Sequence, residues 1–156
     1  QSLVSVIQKK YERSNLIAGV ATGAIAYGAL VAEEMGLPFI YVRSKKKGHG
    51  KQNMIEGTYT SGQSVIVIED LISSGKSSLE AVDALQEEGL NVKGLISIFT
   101  YGFDTATKNF KKADCEFISL CNYSTLLQEA VKQEYINELD VEILEKWREN
   151  PSKWGK

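Results

Sequence analysis

Proline is nearly missing from this chain: two residues in 156, Pro38 and Pro151. With apolar residues at 43% and charged ones at 24%, that scarcity argues against a disordered linker and for a folded domain. Cysteine occurs only as Cys115 and Cys121, with five residues between them. No second cysteine pair and no nearby histidine joins them, so a zinc site is not expected and both thiols are read as buried and reduced. No apolar run approaches the roughly 20 residues of a membrane span, and the first residues have neither the charged nor the apolar region of a secretion signal. An excess of positive charge is missing too: the net charge is -2 and the pI about 5.5, which removes the whole-chain signal of a non-specific nucleic-acid binder. A soluble, cytoplasmic protein with no membrane or nucleic-acid partner is expected.

What is present suits one domain over residues 1–156, a length that buries about 70% of the unfolded surface. The chain opens at Gln1 directly in a helical pattern, which is read as a sign that an N-terminal segment lies outside this sequence. Leu3, Val4, Ile7 and Tyr11 recur at helical spacing, and Leu16 to Ala21 is a short apolar run fit for a strand. An alanine-rich helix from Gly23 to Met35 stops at Gly36 before a strand from Pro38 to Val42. Val65 to Ile68 is a continuous β-branched run, as in a strand covered on both faces, and Ser77 to Glu88 reads as an amphipathic helix. A strand from Gly94 to Thr100, a helix near Thr105 to Lys112, a strand from Glu116 to Leu120 and helices about Ser124 to Gln133 and Val141 to Asn150 follow. This alternation predicts an α/β fold with a mainly parallel, five-stranded sheet flanked by helices. Arg43 to Gly62 shows no periodicity and is read as a long functional or mobile loop.

The chemistry concentrates in "VIVIEDLISSGKSS", Val65 to Ser78. Gly75-Lys76-Ser77 resembles the end of a nucleotide-binding P-loop, but that motif needs a glycine five positions before Gly75, where Asp70 stands. An ATPase or kinase reading fails on this count. What survives is a strand ending in Glu69 and Asp70, a turn of small residues and a helix. Ligands of open α/β sheets bind beyond the carboxyl ends of strands. There Ser73, Ser74, Gly75, Lys76 and Ser77 can aim N–H groups and hydroxyls at a phosphate. Carboxylates beside a phosphate must serve another part of the ligand, and the paired hydroxyls of a ribose 5-phosphate fit. Taken alone, the acids read equally as a solvated start to the helix.

A second cluster, "YVRSKKKGHG" from Tyr41 to Gly50, gathers Arg43, Lys45, Lys46, Lys47 and the one histidine, His49, in an otherwise acidic chain. It suits a polyanion, with Gly48 and Gly50 permitting closure over it; read alone, it is more readily a solvated basic loop. "GVATGAIAYG", Gly19 to Gly28, offers small residues that let backbone amides approach an anion, and structural and functional turns fit it equally.

Together these stretches resemble the type I phosphoribosyltransferase family, and Arg43-x-x-x-Lys47-x-His49-Gly50 ahead of the acid pair is similar to its orotate phosphoribosyltransferase branch. "MIEG" and "ISIFTYG" extend the resemblance over most of the chain. It implies a fold of that type with an incomplete hood, a donor-binding segment of Glu69, Asp70, Leu71, Ile72, Ser73, Ser74, Gly75, Lys76 and Ser77, and an orotate contact at Ser73. It implies catalytic Arg43, Lys47 and His49 on the donor's pyrophosphate, Lys47 reaching across a homodimer. It further implies Mg2+ carried mainly by substrate, with no metal ligand assigned to the protein, and transfer of a 5-phosphoribosyl group from 5-phosphoribosyl 1-pyrophosphate to orotate in pyrimidine biosynthesis. The chain differs from some members at Ser44, where they carry a second lysine, and at Thr100-Tyr101-Gly102, where they carry an arginine. Two rivals remain: a phosphoribosyltransferase for another base, and a noncatalytic sensor of the donor.

Overall fold

The computed structural model describes residues 1–11, 13–43 and 54–154. The order is α1 (Ser2–Lys10), β1 (Leu16–Val20), α2 (Ile25–Met35), β2 (Phe39–Val42), β3 (Ile55–Glu56), β4 (Ser64–Ile72), α3 (Lys76–Glu87), β5 (Asn91–Thr100), α4 (Asp104–Lys112), β6 (Phe117–Asn122), α5 (Tyr123–Lys132) and α6 (Glu138–Glu149), with a 3-10 turn at Pro151–Lys153. One sheet runs β3-β2-β1-β4-β5-β6, parallel except for the antiparallel β2–β3 pair.

The five expected parallel strands are all present, and the sheet gains a sixth. β3 pairs through Tyr41–Glu56 and Val42–Ile55, inside the stretch read from sequence as loop. Two residues are too few to show an alternation, so no period marks it. β4 is also longer than its β-branched run: it passes through both acids to Ile72. Helix α6 starts at Glu138, ahead of the expected Val141, because Asn137 and Asp140 form a capping box. The Asn137 side chain accepts from the Asp140 N–H at 3.1 Å, and the Asp140 carboxylate accepts from the Asn137 N–H at 3.0 Å.

Strand alternation divides the core into two layers. On one face Val65 and Val67 join Leu16, Ala18, Leu95 and the inner stripe of α3, Ala81, Val82 and Leu85, with Phe110 of α4. On the other, Ile66 and Ile68 join Ile17, Ile96, Leu3, Val4 and Ile7 of α1 and Val31 and Ala32 of α2. Both faces of the central strands are therefore dry, which is why they read as unbroken apolar runs. Cys115 is buried, Cys121 is half-buried, and both are free thiols. Burial, then the carboxylates of Asp114, Asp83 and Glu116, pushes the Cys115 thiol up to about 11 and keeps it protonated. Among the described residues, no helix is long and apolar enough to cross a membrane.

Candidate functional site

Because β2, β1, β4 and β5 are parallel, their carboxyl ends share one edge of the sheet. Val20 pairs with Val42, and Gly19 with Ile68, so the turn after β1, Arg43 after β2 and the acid pair on β4 open onto the same edge. The peptide joining Ala21 and Thr22 in that turn is cis. The Ala21 N–H donates to the Val42 carbonyl at 2.8 Å, tying the turn to β2.

Adjacent residues of a strand point to opposite faces, and the two acids part accordingly. Glu69 turns toward α3 and is buried, 5% exposed. One of its oxygens accepts from the Ser78 hydroxyl at 2.8 Å and the other from the Asp70 N–H at 3.0 Å. Burial, with a smaller contribution from the neighbouring Asp70 carboxyl, lifts the Glu69 carboxyl to about 7, against the lowering effects of the Ser78 hydroxyl and the Asp70 N–H. Asp70 is half-buried and turns toward the β1–α2 turn, where one carboxylate oxygen stands so close to Gly23 that a Cβ there would fall 1.8 Å from it. A side chain at Gly23 would therefore displace the Asp70 carboxylate. The other Asp70 oxygen accepts from the Leu71 N–H at 2.7 Å.

Beyond the acids the loop is pinned at several points. Ile72 is buried, and its carbonyl accepts from the Tyr101 N–H at 3.1 Å and the Thr100 hydroxyl at 3.2 Å, so β5 holds the strand end. That leaves the Ile72 side chain in the core rather than at the edge. Leu71, Ser73, Lys76 and Ser77 are exposed and Ser74 half-buried. Gly75 begins α3 at φ 75°, ψ 4°, and a Cβ on it would meet a Phe110 ring carbon at 2.5 Å. Only glycine satisfies both the left-handed backbone and that contact. Gly75 has no side chain to cap α3 and no acid lies in its first turn; the Ser74 hydroxyl accepts from the Lys76 N–H at 3.4 Å, and the following N–H groups are free to donate to an anion.

Arg43 is held at the foot of the basic segment: its N–H donates to the Met54 carbonyl at 2.8 Å, and its guanidinium lies 3.4 Å from Glu56. That ion pair is partly exposed and so worth little; it leaves the cation able to exchange partners. Lys45, Lys46, Lys47 and His49 lie outside the described residues. Among the described residues no group of three metal-ligating side chains gathers.

A phosphoribosyl transferase domain model matches residues 3–138. Orotate phosphoribosyltransferase from Phocaeicola vulgatus is 51% identical over 96% of this chain and 70% of its own length, and that from Cytophaga hutchinsonii 51% identical over 99% and 74%. The chain belongs to the orotate phosphoribosyltransferase family. Among solved structures, orotate phosphoribosyltransferase from Aeropyrum pernix superposes with a TM-score of 0.71 at 25% identity, covering 82% of this chain and 73% of its own.

For a member of the orotate phosphoribosyltransferase family, the loop rests on side chains that the sequence reading passed over. Asn109 of α4 donates its amide to the Ser74 carbonyl at 2.9 Å, Phe110 backs Gly75, and Ser78 reaches Glu69. Ser78 did carry a signal. It falls on the stripe Ser78-Ala81-Val82-Leu85, so a hydroxyl sits where the period of α3 calls for an apolar residue. Asn109 and Phe110 carried none, because nothing local ties α4 to a loop 35 positions earlier.

Proposed function

We propose that the chain is a single catalytic domain that transfers the 5-phosphoribosyl group of 5-phosphoribosyl 1-pyrophosphate to orotate, giving orotidine 5-phosphate and pyrophosphate, in the cytoplasm and as a homodimer. The relatives' shared name supports the base most, since the geometry described here speaks to the donor. Ser73 to Ser77 and the start of α3 hold the 5-phosphate, where first-turn N–H groups meet its charge. Asp70 accepts from the ribose hydroxyls, and Ser73 stands toward orotate. Arg43, with Lys47 and His49, contacts the pyrophosphate.

In the transfer the C1–O bond to pyrophosphate breaks, the electron pair leaves with pyrophosphate, and the orotate ring nitrogen forms the new bond to C1 and gives up its proton to water or to the departing pyrophosphate. Positive charge builds on the ribose ring between these events. Asp70, on the ribose side, offsets that charge, while Arg43 and Lys47 offset the negative charge gathering on the departing group. No side chain needs to act as a nucleophile. Holding donor and acceptor in line supplies the rest of the acceleration.

The oxygens offered here fit a cation that arrives with the donor. Asp70, half-buried where Glu69 is buried, would be the carboxylate of the pair that approaches Mg2+, which keeps water and substrate ligands readily. When bound, Mg2+ neutralises pyrophosphate oxygens.

The test mixes protein, donor and Mg2+ with orotate, uracil, adenine, hypoxanthine and guanine and follows pyrophosphate release. Release with orotate is expected. Release only with another base would reassign the acceptor, and tight donor binding with no release from any base would favour the sensor.

A further inference from the structure

We infer that Asn109 of α4 is a positioning residue for the phosphate loop: by holding the Ser74 carbonyl it turns the Ser74–Gly75 peptide so that the Gly75 N–H faces the 5-phosphate. This deepens the proposed function and rests on its placement of that phosphate. The Asn109 side chain is half-buried and donates its amide to the Ser74 carbonyl at 2.9 Å. A trans peptide is planar, with its C=O and N–H directed oppositely, and the Ser74–Gly75 bond is trans. Drawing the carbonyl toward α4 therefore turns the Gly75 N–H away from α4, where it has no partner among the described residues. The same arrangement stands two residues earlier. The Tyr101 N–H and the Thr100 hydroxyl take the Ile72 carbonyl, which turns the Ser73 N–H away from β5. Alternate carbonyls, Ile72 and Ser74, are thus tied back to the scaffold, and the N–H groups that follow them are left for a ligand. A carbonyl oxygen repels an anion, so withdrawing carbonyls from the open side of the loop matters as much as presenting donors there.

Gly75 is where such a loop needs outside support. Without a Cβ it reaches both signs of φ, so the peptide before it can turn over at little cost unless something holds it. Two neighbours on α4 do so: the Phe110 ring fills the place a Gly75 side chain would take, and Asn109 holds the carbonyl. Phe110 is fixed in turn by burial and by stacking on Phe117 at 4.3 Å. A peptide already turned before the ligand arrives leaves less ordering cost to binding.

The test compares wild type with Asn109→Leu, which keeps the shape of the side chain without its donor, and Asn109→Gln, which keeps an amide. In calorimetric titrations with ribose 5-phosphate and with inorganic phosphate, Asn109→Leu is expected to weaken both ligands roughly tenfold, the size of one charge-assisted bond, and Asn109→Gln less. In steady-state assays Asn109→Leu raises the donor KM while kcat and the orotate KM stay near wild type, because the 5-phosphate is held alike in ground and transition states. General loosening of the fold would lower kcat instead. In isotope-labelled wild type, saturating ribose 5-phosphate moves the NMR resonance of the Gly75 amide, and in Asn109→Leu it moves it less. The inference alone is overturned if that resonance moves equally in both proteins, if Asn109→Leu binds both ligands as wild type does, or if Asn109→Gln binds more weakly than Asn109→Leu. Wild type that fails to bind ribose 5-phosphate, or binds it with the Gly75 amide unmoved, overturns the placement of the phosphate and the inference with it. Should Asn109→Leu not fold, Asn109→Ala takes its place, with Asn109→Gln again expected to bind the tighter. Titrations that come out as stated, with no pyrophosphate release from orotate, would support the role of Asn109 and overturn the choice of base.

Discussion

At the residue scale, a glutamate and an aspartate adjacent in sequence have become chemically different groups. Glu69 is enclosed between β4 and α3 and titrates near 7, above the ordinary 4.5 of an unfolded glutamate. Between those two values the native protein holds a proton that the unfolded chain has released. Its contribution therefore favours folding below about pH 4.5 and is lost as pH rises through 7, a change of order 3 kcal/mol at most for a shift this large. Glu69→Gln cannot titrate. In urea unfolding at pH 5 and pH 8, the stability of Glu69→Gln relative to wild type is expected to rise at the higher pH. A difference independent of pH would mean that Glu69 is not held in the environment described. The sequence showed the acid pair but not this division. Which of two adjacent acids is enclosed depends on what α3 and the β1–α2 turn bring to each face, here Ser78 and Gly23.

At the element scale, the parallel strands were legible because two helix-covered faces demand unbroken apolar runs, and Val65 to Ile68 is such a run. The turn between β4 and α3 was legible because Ser73, Ser74 and Gly75 interrupt the periodic runs on either side of it. The short β3 and the join between α6 and the sheet were not, since each is fixed by contacts remote in sequence. No residue of α6 is fully buried. The helix is held instead by Trp147, whose ring lies edge-on to Tyr101 at 5.7 Å and tilted to Tyr123 at 5.4 Å and Phe103 at 6.2 Å. Tyr101 in turn stacks on Phe103 at 5.3 Å, so the rings that follow β5 form the seat for α6. Aromatic pairs contribute about 0.5–1.5 kcal/mol each beyond the area they bury. Trp147→Ala is expected to lower stability by about 2 kcal/mol, less than truncation of a wholly buried tryptophan, because the side chain is half-buried. Urea unfolding monitored by circular dichroism would measure it. Stability equal to wild type would show that α6 is held by other means, such as its contacts with α5.

At the scale of the whole molecule, the described edge supplies one half of a site. In the proposed function its acid pair and small-residue loop serve the phosphoribosyl end of the donor, and Arg43 serves the pyrophosphate together with Lys47 and His49, which lie beyond the described residues. The proposed homodimer supplies a test of where Lys47 acts. If Lys47 serves the partner's site, a dimer of Lys47→Ala with Asp70→Asn contains one site with both native residues and one with neither. Random exchange makes half of the dimers mixed, each with one working site of two, so mixing two nearly inactive proteins should recover about a quarter of wild-type activity. If Lys47 serves its own site, every site in the mixture lacks one of the two residues and nothing is recovered. Subunit exchange would be verified by differential tagging before the assay. Recovery absent after exchange is complete would assign Lys47 to its own subunit, and activity in the unmixed Lys47→Ala protein near that of wild type would remove it from the reaction.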